Sequence, residues 1–313
     1  MSVTRGRLPT VVVPFDTSCR SETCQDVCVY LRPETNGIEV ESVMMRTIQS
    51  SSFYREKVQL VYLANLPGSF IGKKRAIEKH YHLKIMFAKR GGKLFTAYMK
   101  HQFSEFFGIP FEKASIWGAF EALRHMGYSR TGLFNIWVPH NELLSLNGQT
   151  IKRVGDQFIV NYDIPAILMK NRDDTDMAVM ILRTDLGPES IYQLMMNMVD
   201  SLKNQGLLSD GEAFTRVFHF SRSPFEQILD GIGFIYNQDG NHIDLNSINF
   251  YTYLLERGIS PGEIEKILKY PIFCFQDPEN GYYEKTIYTA TYGMGYDEAY
   301  KKLILSEGQV LLA

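Results

Sequence analysis

The chain has 313 residues, 45% hydrophobic and 22% charged, with a formal net charge of −2. A length beyond one ordinary domain favours two domains, with one large α/β domain as the alternative. The near-neutral balance excludes a uniformly basic nucleic-acid coat, and four cysteines in so long a chain exclude a disulfide scaffold.

The opening MSVTRGRLPTVVVPF holds an apolar run too short for a signal-peptide core, and no stretch approaches the roughly 18 apolar residues of a membrane helix. The expectation is a cytoplasmic protein without membrane insertion. Short runs rich in Val, Ile and aromatics predict strands at Pro9–Phe15, Asp26–Leu31, Val58–Ala64, Leu83–Ala88 and Leu133–Val138. Helices are expected between them at Val40–Gln49, Phe70–Lys79, Leu94–Phe107 and Phe111–His125. In the third of these, Phe95, Tyr98, Met99, Phe103 and Phe106 share one helical face, and Gly108 and Gly127 stand where C-terminal caps belong. Strands alternating with helices predict parallel or mixed pairing, covered on at least one face.

From Asn141 to Asn171 the pattern changes. The pairs Asn147-Gly148 and Gly155-Asp156 punctuate alternating segments and predict a small antiparallel patch. A domain boundary is expected there, giving an N-terminal α/β domain over 1–146 and a C-terminal α+β domain over 147–313. The second half predicts a strand at Met177–Arg183, a helix led by Pro188 over Glu189–Asn204, and a strand at Phe214–Phe220. Ser223 and Glu226 form a capping box, and Asp239-Gly240 turns a hairpin. Two helices then meet at Gly258, the second opened by Ser260-Pro261-Gly262-Glu263. The reading is an α/β or α+β fold of two sub-domains, each a mixed sheet with packed helices.

Charge is distributed unevenly. Nine Lys and Arg but only Glu78 among the acids lie between Lys73 and His101, leaving 24 bases and 34 acids elsewhere. The stretch carries two Gly- and Lys-bearing loops, each expected between a strand and a helix, where orphan N–H groups and ammonium charges converge and suit an anion. Gly68 and Gly72, with Lys73 and Lys74, form the first loop; Arg90, Gly91, Gly92 and Lys93 form the second. If a strand starts at His80, then His80 and His82 project to one side of it and add two imidazoles. The spacing Gly68 to Gly72 is one residue short of a P-loop and lacks its hydroxyl, so no particular nucleotide motif is met. The expected ligand is a phosphorylated small molecule, a nucleotide or an RNA backbone.

Two other readings belong to different classes. Cys19, Cys24 and Cys28 stand within ten residues of one another and could serve a thiol or metal protein, although their spacing matches neither ferredoxin nor zinc patterns. The ordinary alternative for Cys28 is a small buried hydrophobe in the run DVCVYL. A non-catalytic scaffold meeting an acidic partner through its basic face is the third. No nucleophile elbow is present, the aspartates at 173, 174 and 176 read as turn residues, and the 253–270 helix pair offers acids where a DNA-reading helix needs donors. The sequence names no catalytic residue, metal ligand or cofactor.

Overall fold

The computed structural model describes residues 7–18, 24–170, 174–211, 213–277 and 281–310. Its first elements are β1 (Thr10–Val13), β2 (Gln25–Leu31), α1 (Ile38–Ser50), α2 (Ser52–Lys57), β3 (Val58–Pro67), α3 (Gly68–Lys74) and α4 (Ala76–His80). Next come α5 (His82–Arg90), α6 (Ala97–Phe107), β4 (Ser115–Gly118), α7 (Ala119–Met126) and α8 (Arg130–Asn135). Strands β5 (Leu143–Leu146), β6 (Gln149–Val154) and β7 (Gln157–Val160) precede α9 (Ile164–Ile167). Then follow β8 (Asp176–Thr184), α10 (Pro188–Asn204), β9 (Phe218–Phe220), α11 (Pro224–Phe234), α12 (Asn249–Glu256) and α13 (Pro261–Lys269). The last are β10 (Ile272–Asp277), β11 (Gly281–Thr286), α14 (Ile287–Ala290), α15 (Tyr296–Ile304) and β12 (Gly308–Gln309). The fold is α+β, and no described helix is long and apolar enough to cross a membrane.

These elements make two compact units, each assembled from three separate stretches. Unit 1 comprises Met1–Ile77, Lys170–Ile264 and Thr291–Lys301; unit 2 comprises Glu78–Met169, Glu265–Ala290 and Lys302–Ala313. The boundary expected near Asn147 falls within unit 2, in the β5–β6 turn, where Leu146 pairs with Gln149. Asn147 and Gly148 both take positive φ there, as a tight two-residue hairpin turn requires.

Unit 1 is built on a five-stranded sheet in the order β1-β3-β8-β2-β9. All its pairings are antiparallel, which corrects the expectation of parallel or mixed pairing. The physical reason is that each helical crossover skips a strand. The chain passes from β2 through α1 and α2 to β3 with β8 lying between, and from β8 through α10 to β9 with β2 between. The result is a split β-α-β-β-α-β arrangement with β1 added at the edge. Every residue of β2 is buried, because both faces of the sheet are covered. On one face Val27, Val29 and Leu31 join Met180, Leu182 and Phe218 against Met44 of α1 and Met195 and Met198 of α10. Each such side chain, fully buried, contributes about 1.5–3 kcal/mol. The opposite face is covered by α11 and α12, where Tyr30 meets Phe234 at 4.9 Å and Phe225 meets Phe250 at 5.0 Å.

Unit 2 has a mixed four-stranded sheet, β4-β7-β6-β5, with β4 parallel to β7, and a three-stranded antiparallel sheet, β11-β10-β12. An aromatic core surrounds Phe103, whose ring lies 4.8 Å from Phe158, 4.9 Å from Phe107 and 5.6 Å from Phe111. Three expected elements differ here. Leu83–Ala88 is not a strand but the middle of α5: Leu83, Met86 and Phe87 pack into one core cluster and Ile85 and Ala88 into another. A helix buried on two sides shows no clean period, and its short apolar run reads as a strand. Leu133–Val138 is likewise no strand, since α8 runs from Arg130 to Asn135 under a Ser129 cap. Phe111–His125 is not one helix, because Ser115–Gly118 is drawn into parallel pairing with distant β7.

Candidate functional site

The basic loops come first. Gly68, Gly72, Lys73 and Lys74 belong to unit 1, whereas His80, His82, Arg90, Gly91, Gly92 and Lys93 belong to unit 2. In the first loop the Gly68 amide donates to the Thr175 carbonyl at 2.7 Å. Lys73 and Lys74 lie in the last turn of α3, at its carboxyl end, and Lys74 sits over the rings of Phe70 and Tyr236 at 5.5 and 5.7 Å. The helix expected over Phe70–Lys79 is broken at Arg75, which takes φ 54°.

The second loop does not join a strand to a helix. It leaves α5 as a single 3-10 turn, Gly91–Leu94, before α6. Gly91 takes φ +56°, and a Cβ there would stand 2.6 Å from the Gly118 nitrogen; one on Gly92 would stand 3.1 Å from the Phe111 ring. These glycines let the turn press against β4. His80 closes α4 and His82 opens α5, so the two-residue period that would put both on one side of a strand does not apply. Burial, with Lys269 and Lys89 adding, pushes the His82 imidazole below its ordinary value.

Of the cysteines, Cys19 lies outside the described residues. Cys24 is half-buried, and Cys28 is fully buried in β2, where burial pushes its thiol well up. Among the described residues no group of three His, Cys, Asp or Glu side chains could hold a metal ion.

A concavity lies elsewhere in unit 1. Strands β8 and β9 run parallel to each other with β2 between them, so both end at the same edge of the sheet. Each is followed by a helix with proline at its start, Pro188 in α10 and Pro224 in α11. The two helices then depart to opposite faces, leaving a crevice outside the carboxyl ends of β8 and β9. A cleft of about 470 Å³ opens there. Its floor is Gln25 and Val27, its walls are the first turn of α10 and Phe220 to Arg222, and residues Tyr292 to Met294 form its rim.

Each polar group in this cleft has a traceable setting. Gln25 is 8% exposed, and its Oε1 accepts from Gln227 Nε2 at 3.2 Å; Gln227 Oε1 in turn accepts from the Tyr296 hydroxyl at 3.0 Å. Helix α11 is capped by Ser223, whose hydroxyl accepts from the Glu226 amide, while α10 begins at Gly187 with no side-chain cap. The Arg222 guanidinium lies over the rings of Phe220 at 5.4 Å and Tyr292 at 5.9 Å. Its backbone is fixed at both ends: the amide donates to Glu226 Oε2 at 2.7 Å, and the carbonyl accepts from Gly293 at 3.0 Å. The Tyr292 hydroxyl donates to Glu226 Oε1 at 3.3 Å. Burial pushes the carboxyl of Glu226 and the phenol of Tyr292 above their ordinary values. Perturbed titratable groups beside a concave surface are a recognised mark of functional sites.

Behind the cleft, β9 is locked to α11. Ser221 Oγ donates to Asp230 Oδ2 at 2.7 Å, and His219 Nε2 lies 3.1 Å from the same oxygen, its ring stacked on Tyr30 at 4.5 Å. Serine, histidine and aspartate are thus neighbours, but both partners address the aspartate, whereas a nucleophile needs its serine bonded to the histidine. The set works as an anchor. A buried pair on the same face, Arg183 to Asp26 at 2.7 and 3.3 Å, ties β8 to β2, and Arg183 also reaches the Asp16 carbonyl at 2.9 Å.

The residues of the cleft were not among those the sequence singled out. A usable signal was present all the same: a strand end, three residues and a proline occur twice, Thr184 to Pro188 and Phe220 to Pro224. Comparison with protein-family models, with curated proteins and with solved structures finds no match.

Proposed function

We propose that unit 1 is a ligand-binding module that takes a small organic molecule in the cleft at the carboxyl ends of β8 and β9. The observation that carries this reading is the convergence of mostly apolar walls with a few fixed polar groups, Gln25, Arg222 and Tyr292, on a space of ligand size. Fragment screening by ligand-observed NMR tests it. Met294→Trp, on the rim, fills the cleft without touching the core, and fragments that bind the wild-type chain should lose binding to this variant. Hits that ignore Met294→Trp in a folded protein would contradict the reading.

A second reading concerns unit 2. The chain's charge divides between the units: unit 2 has fifteen Lys and Arg against twelve Asp and Glu, unit 1 eighteen against twenty-three. That excess favours a phosphorylated or nucleic-acid ligand on the unit 2 surface carrying Lys89, Arg90 and Lys93. Charge reversal of these three side chains should remove salt-sensitive binding of a single-stranded RNA; unchanged binding would discard it.

A further inference from the structure

We propose that the ligand of the unit 2 surface is a single-stranded nucleic acid, its bases stacked on exposed aromatic rings; this rests on the second reading above. Helices α5, α7 and α8 pack around one small core. Ala88 of α5, Ala119 and Ala122 of α7, Leu133 of α8 and Ile136 just beyond its end all belong to it. Exposed residues on these same short segments therefore surround a common centre: Lys89 and Arg90, Arg124 and His125, Arg130, and Trp137.

This layer is one-sided in charge. Lys84 pairs with Asp163 at 3.6 Å; the other cations of the three helices, Lys89, Arg90, Arg124 and Arg130, are matched by a single acid, the half-buried Glu121. No Asp or Glu stands between Glu121 and Glu142 in the sequence. A polyanion complements such a surface. Rings are interleaved with the cations. Trp137 is 82% exposed, more than any other large apolar side chain among the described residues, and Tyr128 is 42% exposed between α7 and α8. The backbone that presents Trp137 is held: Ile136 before it packs into the core, and the Ile136 carbonyl accepts from Lys152 Nζ at 2.6 Å. The exposed His125 ring is fixed likewise, 5.2 Å from the ring of Trp117. Aromatic platforms among cations are how bases are stacked without regard to sequence. A duplex hides its base faces, so rings of this kind select a single strand. A bilayer needs contiguous apolar area, whereas Trp137 stands among the exposed Asn135, Pro139, His140 and Asn141.

The test is fluorescence anisotropy of the full chain with labelled probes: a mixed-sequence RNA dodecamer, its DNA counterpart, the RNA duplex of the same length, and phosphatidylserine vesicles. At least one single strand should bind five-fold or more tightly than the duplex, and the RNA and DNA arms identify which backbone the surface prefers. Trp137→Ala, at a position outside the core, should weaken that strand at least five-fold. Trp137→Phe, which keeps a ring, should retain most of the affinity. A duplex bound as tightly as the single strands, or single-strand affinity unchanged in Trp137→Ala, overturns the stacking inference while leaving the basic surface of the second reading. Absence of binding by every nucleic acid, with or without binding to vesicles, overturns both.

Discussion

Replacing Gly91 by alanine separates two reasons for a glycine in the second basic loop, close backbone packing or close approach of a ligand. The magnitude follows from two terms. A non-glycine residue held at φ +56° and ψ −138°, outside the left-handed helical region, costs about 1–3 kcal/mol. The new Cβ would also stand 2.6 Å from the Gly118 nitrogen and 2.9 Å from the Trp117 carbonyl carbon, backbone atoms that cannot swing aside. Overpacking of that kind adds about 1–3 kcal/mol, for a total of about 2–6 kcal/mol. Gly108 is the reference: it takes φ +66° and ψ 20°, the milder left-handed helical region, with no atom within 4 Å of its added Cβ, so Gly108→Ala carries a smaller conformational term and no clash. Reduced freedom of the unfolded chain returns some of that, leaving about 1 kcal/mol. Urea unfolding of both variants, followed by circular dichroism and by the fluorescence of Trp117 beside the contact, measures the difference. Equal losses would refute the close approach of the 3-10 turn to β4 and return Gly91 to the ligand reading.

Two further outcomes follow from buried titrating groups. Burial raises the Glu226 carboxyl above its ordinary 4.5, so the native chain holds its proton longer than the unfolded one, and stability erodes as pH rises from 4.5 through the native value. Glu226→Gln keeps an oxygen for the Arg222 amide; its stability relative to wild type should improve between pH 4 and pH 8, and thermal melts showing no such change would contradict the assignment. Lys152, nearly enclosed, donates to the carbonyls of Phe134 and Ile136 at 3.3 and 2.6 Å and lies 3.6 Å from the Tyr162 ring centre. Burial, opposed by Asp163, brings its pKa down to about 8 from 10.5, so between those values the unfolded chain binds more protons and this lysine makes stability rise with pH. Lys152→Met should cost about 1–3 kcal/mol by stranding two carbonyls, and should flatten that rise, both read from urea unfolding at pH 7 and pH 9.5. A variant as stable as wild type at both pH values would remove the lysine from its structural role.

Much of the frame was legible in the residues. The buried strands β2, β3 and β8 stand out as apolar runs, the Ser223 and Ser260 caps are found where the spacing puts them, and Asn147-Gly148 turns the hairpin it predicts. What escaped depends on distant partners. α5 carries no clear period because two core clusters claim different sides of it, and β4 exists only because β7 pairs with it. Local composition cannot report that two units interleave along the chain, so a run of basic residues continuous in sequence is divided between them after Ile77. The cleft gathers residues from four separate stretches, around Gln25, Pro188, Phe220 and Tyr292, and no stretch alone announces a binding site. Their meaning lies in strand order, which puts the ends of β8 and β9 at one edge of the sheet.

Amide chemical-shift mapping of the isotopically labelled chain, titrated with the tightest-binding fragment, examines the cleft as the ligand site most directly. The account predicts saturable shifts concentrated in Gln25–Val27, Glu189–Tyr192, Ser221–Gln227 and Tyr292–Gly295, and their loss in Met294→Trp. Saturable shifts confined to unit 2, with those four stretches unmoved, would contradict it.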